Sequence, residues 1–68
     1  MKRKFAERLR ELRQEKKLSY KQLGNLVGLS SSALCNWENG LMDITSDNLQ
    51  ILADFFKVST DYLLGRED

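Results

Sequence analysis

Apolar residues recur along this chain at helical intervals, in short blocks parted by polar turns. Phe5, Leu9 and Leu12 fall four and three residues apart among Arg, Lys, Glu and Gln, and this spacing predicts a first helix over residues 3–16. Lys16 and Lys17 then place cations near its C-terminal dipole, and Leu18 folds back onto the core. Ser19, with Gln22 three residues on, has the form of a capping box and opens a second helix over residues 20–27. From Tyr20 to Asn39 the pattern is most informative: Leu23, Val27, Leu29, Leu34 and Trp37 step by 4, 2, 5 and 3 residues. The short step falls at Gly28, which takes a positive φ at little steric cost, so the first of two helices stops there and the chain turns. Gly24, lacking a side chain, lets a second helix come close while Leu23 and Val27 pack beside it. Ser30 caps a third helix over residues 31–38, and Asn39-Gly40 supplies a stop that tolerates the left-handed conformation.

Thr45 or Ser46 caps a fourth helix over residues 46–56, with Asp47 in its first turn, where negative charge is favoured. Its inner stripe is Leu49, Leu52, Ala53 and Phe56. A short fifth helix over residues 60–64 begins near Ser59, with Asp61 in its first turn, and ends at Gly65; Tyr62 and Leu64 close the core, and residues 66–68 fray. Without proline, strand-like alternation or an internal repeat, the expected class is all-α, five helices with short connections.

Composition narrows the function classes. A chain of 68 residues suits one domain with one small core. No apolar run is long enough to span a membrane, and Met1-Lys2-Arg3-Lys4 leads into an amphipathic segment rather than an apolar leader, so a soluble cytoplasmic protein is expected. Histidine is absent and Cys35 is the single cysteine, which rules out an internal disulfide and makes a structural metal implausible. No Cys-base arrangement, glycine-rich phosphate cradle or paired acid set is present, so no enzyme, cofactor or small-molecule ligand is expected. The formal net charge of +1 hides an asymmetry: residues 1–21 hold nine basic against three acidic residues, residues 22–68 two against seven. One basic end is a docking surface for a polyanion or a solvated helix without a partner.

Five blocks in order carry a resemblance: Arg8-Leu9-Arg10-Glu11-Leu12-Arg13, Leu18-Ser19, Gly28-Leu29-Ser30, Trp37-Glu38-Asn39-Gly40, and Val58 through Gly65. Together they resemble the phage-repressor and Cro-like helix-turn-helix family, of the xenobiotic-response-element type, over nearly the whole chain. The resemblance implies a compact five-helix, lambda-repressor-like DNA-binding domain spanning residues 1–68. It also implies that the third helix lies in the major groove of double-stranded DNA, that the protein regulates transcription, most often as a repressor, and that it forms a homodimer.

On that reading the base contacts carry over to Ser31, Ser32 and Asn36, which face away from Leu34 and Trp37. Asn36 matches adenine N6 and N7 bidentately, whereas serines discriminate little. Many relatives carry Arg, Lys or Gln on this face, and here none stands between Gln22 and Gln50, so DNA shape or dimer spacing gains weight. Phosphate contacts are expected from Tyr20, Lys21, Asn39, Arg10 and Lys17, with Lys16 beside them, since the loop after Asn39-Gly40 is Leu41-Met42-Asp43 rather than basic. Arg13 and Glu38 occupy positions of an internal ion pair tying the first helix to the end of the third. Trp37 reads as core and Cys35 as a small residue on the third helix. A dimer interface is expected at Leu41, Met42, Thr60 and Leu63, while Ile51 and Phe55 either join an exposed patch or complete a thin core. The rival reading is a protein-interaction module, an antitoxin or adaptor, on the same fold with weak or no DNA binding.

Overall fold

Four of the five helices begin on a hydroxyl side chain that takes up a free backbone N–H. Ser19 Oγ accepts from the Gln22 amide at 3.0 Å, and Gln22 Oε1 accepts in return from the Ser19 amide at 2.9 Å. Ser30, Thr45 and Ser59 accept from the amides of Ala33, Asn48 and Tyr62 at 3.0, 3.3 and 2.9 Å. Each such cap contributes about 1 kcal/mol. The computed structural model describes residues 2–66, and the helices are α1 Lys2–Glu15, α2 Tyr20–Val27, α3 Ser31–Glu38, α4 Ser46–Phe56 and α5 Thr60–Leu63. Of the tail expected to fray, Glu67 and Asp68 lie outside the described residues. Arg66 instead donates its amide to the Asp61 carbonyl at 2.8 Å, closing the end of α5.

The helices stop by turning left-handed. Gly28 does so after α2 with φ 74° and Gly40 after α3 with φ 71°. Two lysines do the same without a glycine's freedom: Lys17 after α1 and Lys57 after α4, at φ 57° and 59°. At the first of these, Lys17 N bonds Gln14 O at 2.9 Å and Leu18 N bonds Arg13 O at 3.2 Å, which offsets the conformational cost.

Every helix feeds one core: Phe5 and Leu9 from α1, Leu23 from α2, Leu34 and Trp37 from α3, Leu49, Leu52, Ala53 and Phe56 from α4, and Leu63 from α5. Burying each large apolar side chain stabilises the fold by about 1.5–3 kcal/mol. The buried Trp37 Nε1 has no hydrogen-bond partner, so this ring is held by its apolar volume. Gly24 is where α2 and α3 meet most closely. A Cβ there would collide with the Leu29 carbonyl oxygen and stand 3.5 Å from the Ser31 amide nitrogen, so the tight α2–α3 turn requires glycine. Leu63, expected at a dimer surface, is fully buried. The correction has a simple cause: α5 is one turn long, and the packing of α1 and α4 against it selects Leu63 as the inward residue.

Candidate nucleic-acid interface

The inner side of α3 ends on Glu38, whose side chain is fully buried, and three side chains from two helices converge on it. From α1, Arg13 Nε donates to Glu38 Oε2 at 2.7 Å and Arg13 Nη2 to Oε1 at 3.1 Å, a two-pronged contact. Arg13 Nη1 also donates to the Leu18 carbonyl at 2.6 Å, so one guanidinium joins α1, the α1–α2 turn and the end of α3. From α2, the Tyr20 hydroxyl donates to Glu38 Oε1 at 3.3 Å, and the Arg13 guanidinium lies 4.5 Å from the centre of the Tyr20 ring. The hydrogen bond to Glu38 raises the Arg13 pKa above its ordinary value against the opposing effect of burial. Burial raises the Tyr20 phenol, with the Glu38 charge acting in the same direction.

Arg10 joins the same carboxylate. Its Nε donates to Glu38 Oε1 at 3.3 Å and its Nη2 to the Glu38 backbone carbonyl at 3.2 Å. Tyr20 directs its hydroxyl hydrogen to Glu38, so a phosphate would have to draw it away. Arg10 spends Nε and Nη2 on Glu38 while its side chain stays 46% exposed. Arg10 and Arg13 are three residues apart on one face of α1, a spacing from which a shared acid could have been inferred.

The outer side of α3 is built from small polar residues. Ser31 and Ser32 are exposed; Cys35 and Asn36 are half-buried. Asn36 Nδ2 donates to the thioether sulfur of Met42 at 3.3 Å. Asn39 is exposed, and its Nδ2 donates back to the Cys35 carbonyl at 2.8 Å and to Cys35 Sγ at 3.3 Å, so a phosphate would have to draw it away. Lys17 and Lys21 stand exposed at the α1–α2 junction and the first turn of α2, while Lys16 Nζ rests 5.7 Å from the centre of the Phe55 ring.

Apolar exposure lies elsewhere. Leu41 is 70% and Leu26 61% exposed, with Met42 and Ile51 less so, and Thr60 is half-buried. Phe55 is half-buried, packed edge-on to Phe56 with ring centres 5.0 Å apart, and so completes the core. Leu26 was not singled out from the sequence, since an apolar residue beside Val27 at a helix end gives no sign of which one packs. Among the described residues no cluster of metal-ligating side chains exists, and no helix is long and apolar enough to cross a membrane.

Known proteins resemble this chain in sequence and in fold. A helix-turn-helix family matches residues 9–63. The chain is 38% identical over 64 residues to an uncharacterized HTH-type transcriptional regulator, YobD, of Bacillus subtilis, covering 94% of this chain and 57% of that protein. It is 36% identical over 60 residues to repressor protein C2 of Salmonella phage P22, covering 88% and 28% respectively. In three dimensions it resembles the P22 c2 repressor crystallised with a synthetic operator, with a TM-score of 0.85 at 33% identity, covering 93% of this chain and 96% of that one. The chain spans only 28–57% of the length of the curated relatives it matches. With a family match running from α1 to the end of α5 and a shared fold at 33% identity, the chain belongs to the phage-repressor and Cro-like helix-turn-helix family of transcriptional regulators, a non-enzymatic family.

Proposed function

We propose that this chain, over residues 1–68, carries the DNA-reading domain of a cytoplasmic transcriptional repressor that binds double-stranded DNA as a homodimer. The observation that carries the reading is the outer edge of α3: Ser31, Ser32 and Asn36 face outward on a helix fixed from behind by Leu34, Trp37 and the arginine clamp on Glu38. The solved P22 c2 repressor, on a closely similar fold, was crystallised with an operator. In this reading α3 enters the major groove, Ser31, Ser32 and Asn36 meet base edges, and Lys17, Lys21 and the first amides of α2 meet phosphates. Asn39 joins them after releasing Cys35. Leu41, Met42 and Thr60 face the second copy, and the two half-sites of a two-fold operator lie about 34 Å apart.

Binding to random and selected duplexes across a salt series tests this. Each phosphate neutralised contributes about −0.9 to the slope of log affinity against log salt, and selection should return a palindrome. A flat salt response with no enriched sequence would reject the reading. That result would favour a protein-interaction module docking through exposed Leu41 and Leu26, for which the lack of a basic loop after Gly40 is the supporting observation.

A further inference from the structure

Asn36 is the one outward side chain on α3 able to recognise a base bidentately, and an amide can do so in two senses related by a flip. Unconstrained, it offers either its NH2 or its oxygen to a given side. Here one neighbour removes that ambiguity. Met42, in the connection that follows α3, places its sulfur 3.3 Å from Asn36 Nδ2. A thioether accepts hydrogen bonds and donates none, so only the NH2 end of the amide is attracted to it. One amide hydrogen is directed at sulfur; the second hydrogen and Oδ1 are left for a base edge. Met42 is 43% exposed and owes its place to the connection, which leaves the helix through Gly40 and the Leu41 N–H to Asn36 O bond of 2.9 Å.

We infer that Met42 is a specificity-positioning residue: its sulfur fixes the sense of the Asn36 amide and so selects which strand of the duplex carries the adenine that Asn36 reads. Adenine presents N7 to accept and N6–H to donate, in an order along the groove that reverses between A·T and T·A. With the NH2 end held on the Met42 side, only the pair whose N7 lies on that side matches both groups. The inference rests on the assignment of α3 as the DNA-reading helix. It gives the apolar connection, which replaces a basic loop, a role that phosphate attraction cannot fill.

The variant that tests it is Met42→Leu, which keeps volume and apolarity and removes the acceptor. The 68-residue chain, wild type and variant, is put through selection on random duplex DNA and then titrated on matched A·T and T·A duplexes. The expected result is a wild-type preference for one of the two pairs at a single position per half-site, narrowed about two- to tenfold in Met42→Leu, the span of one ordinary hydrogen bond. Because Met42 also faces the second copy in the proposed dimer, the readout is the ratio of A·T to T·A affinity within each protein, which a change in dimer strength shifts equally on both duplexes. In the free protein, Met42→Leu should also loosen the Asn36 side-chain amide, read as a lower NMR order parameter. Identical A·T over T·A ratios in the two proteins, or equal weakening on every sequence, would overturn the role of Met42 while leaving DNA binding standing. Failure of the wild type to bind duplex DNA at all would overturn both.

Discussion

Behind α3, both carboxylate oxygens of Glu38 and its backbone carbonyl are held by Arg10, Arg13 and Tyr20, and Leu34 and Trp37 are sealed in the core. In front, Ser31 and Ser32 are exposed, and Asn36 and Asn39 lean on sulfur or on their own helix. The contrast teaches where each kind of information lies. The back is complete within the chain, so its chemistry is stability. The front is left incomplete on a rigid support, which is what a surface meant to be finished by another molecule requires. The weak internal bonds at Asn39 are released at small cost, whereas the Glu38 cluster is not.

The largest effect should come from removing the centre of that cluster. Glu38→Ala leaves two arginines facing each other around a buried gap and should cost about 3–5 kcal/mol by chemical denaturation. Arg13→Ala should cost less, about 2 kcal/mol, because Arg10 stays to compensate the carboxylate. Arg10→Ala, with its side chain 46% exposed, should cost under about 1 kcal/mol. If Arg10 proved as costly as Arg13, the division between a sealed back and an open front would have to be redrawn through α1. Next in size is Gly24→Ala. The added methyl meets backbone, not a yielding side chain, so the α2–α3 turn has to shift, at about 1–3 kcal/mol in thermal melts. DNA affinity should fall by more than stability alone explains, because the displaced element is the helix proposed to enter the groove.

The same contrast governs what the sequence discloses. Gly24, Gly28 and the four hydroxyl caps are local requirements, legible because only certain residues satisfy them; accordingly five helices could be drawn to within a residue at each end. The family resemblance likewise pointed to the phage-repressor type that the matches bear out. Other features depend on what lies across the fold. Lys17 and Lys57 turn left-handed with no glycine to announce it, because tertiary packing and the closing hydrogen bonds override their preference. Leu63 and Leu64 are adjacent leucines in a one-turn helix, and periodicity over four residues cannot say which points inward. The hydrogen bonds of Arg10 and Tyr20 to Glu38 are not legible locally, because the acid that receives them is 28 and 18 residues away.

Tyr20 sharpens the comparison through pH. Its phenol is raised above the ordinary value of 10.0 chiefly by burial, so the folded chain keeps a proton that the unfolded chain releases. The stability from this group is therefore fully present below pH 10 and is lost as pH rises through the raised folded value. Tyr20→Phe should lose about 1 kcal/mol near neutrality, from the hydrogen bond to Glu38. The gap between wild type and variant should close as denaturation is repeated up to about pH 11. A gap that stays constant would mean the hydroxyl faces water rather than the sealed cluster.

The smallest stability effects belong to the front, and there they are the informative result. Ser31→Ala, Ser32→Ala and Asn36→Ala should each leave the unfolding free energy within about 0.5 kcal/mol, since no buried bond is broken. On DNA the same changes should separate by role. Asn36→Ala should relax preference at one base pair per half-site, because it deletes a base-edge contact. Lys21→Ala should weaken binding to all sequences alike and flatten the salt slope by about 1, because it deletes a phosphate contact. Should Asn36→Ala and Lys21→Ala shift every duplex equally, the outer edge of α3 would be a surface resting against the backbone rather than one reading bases.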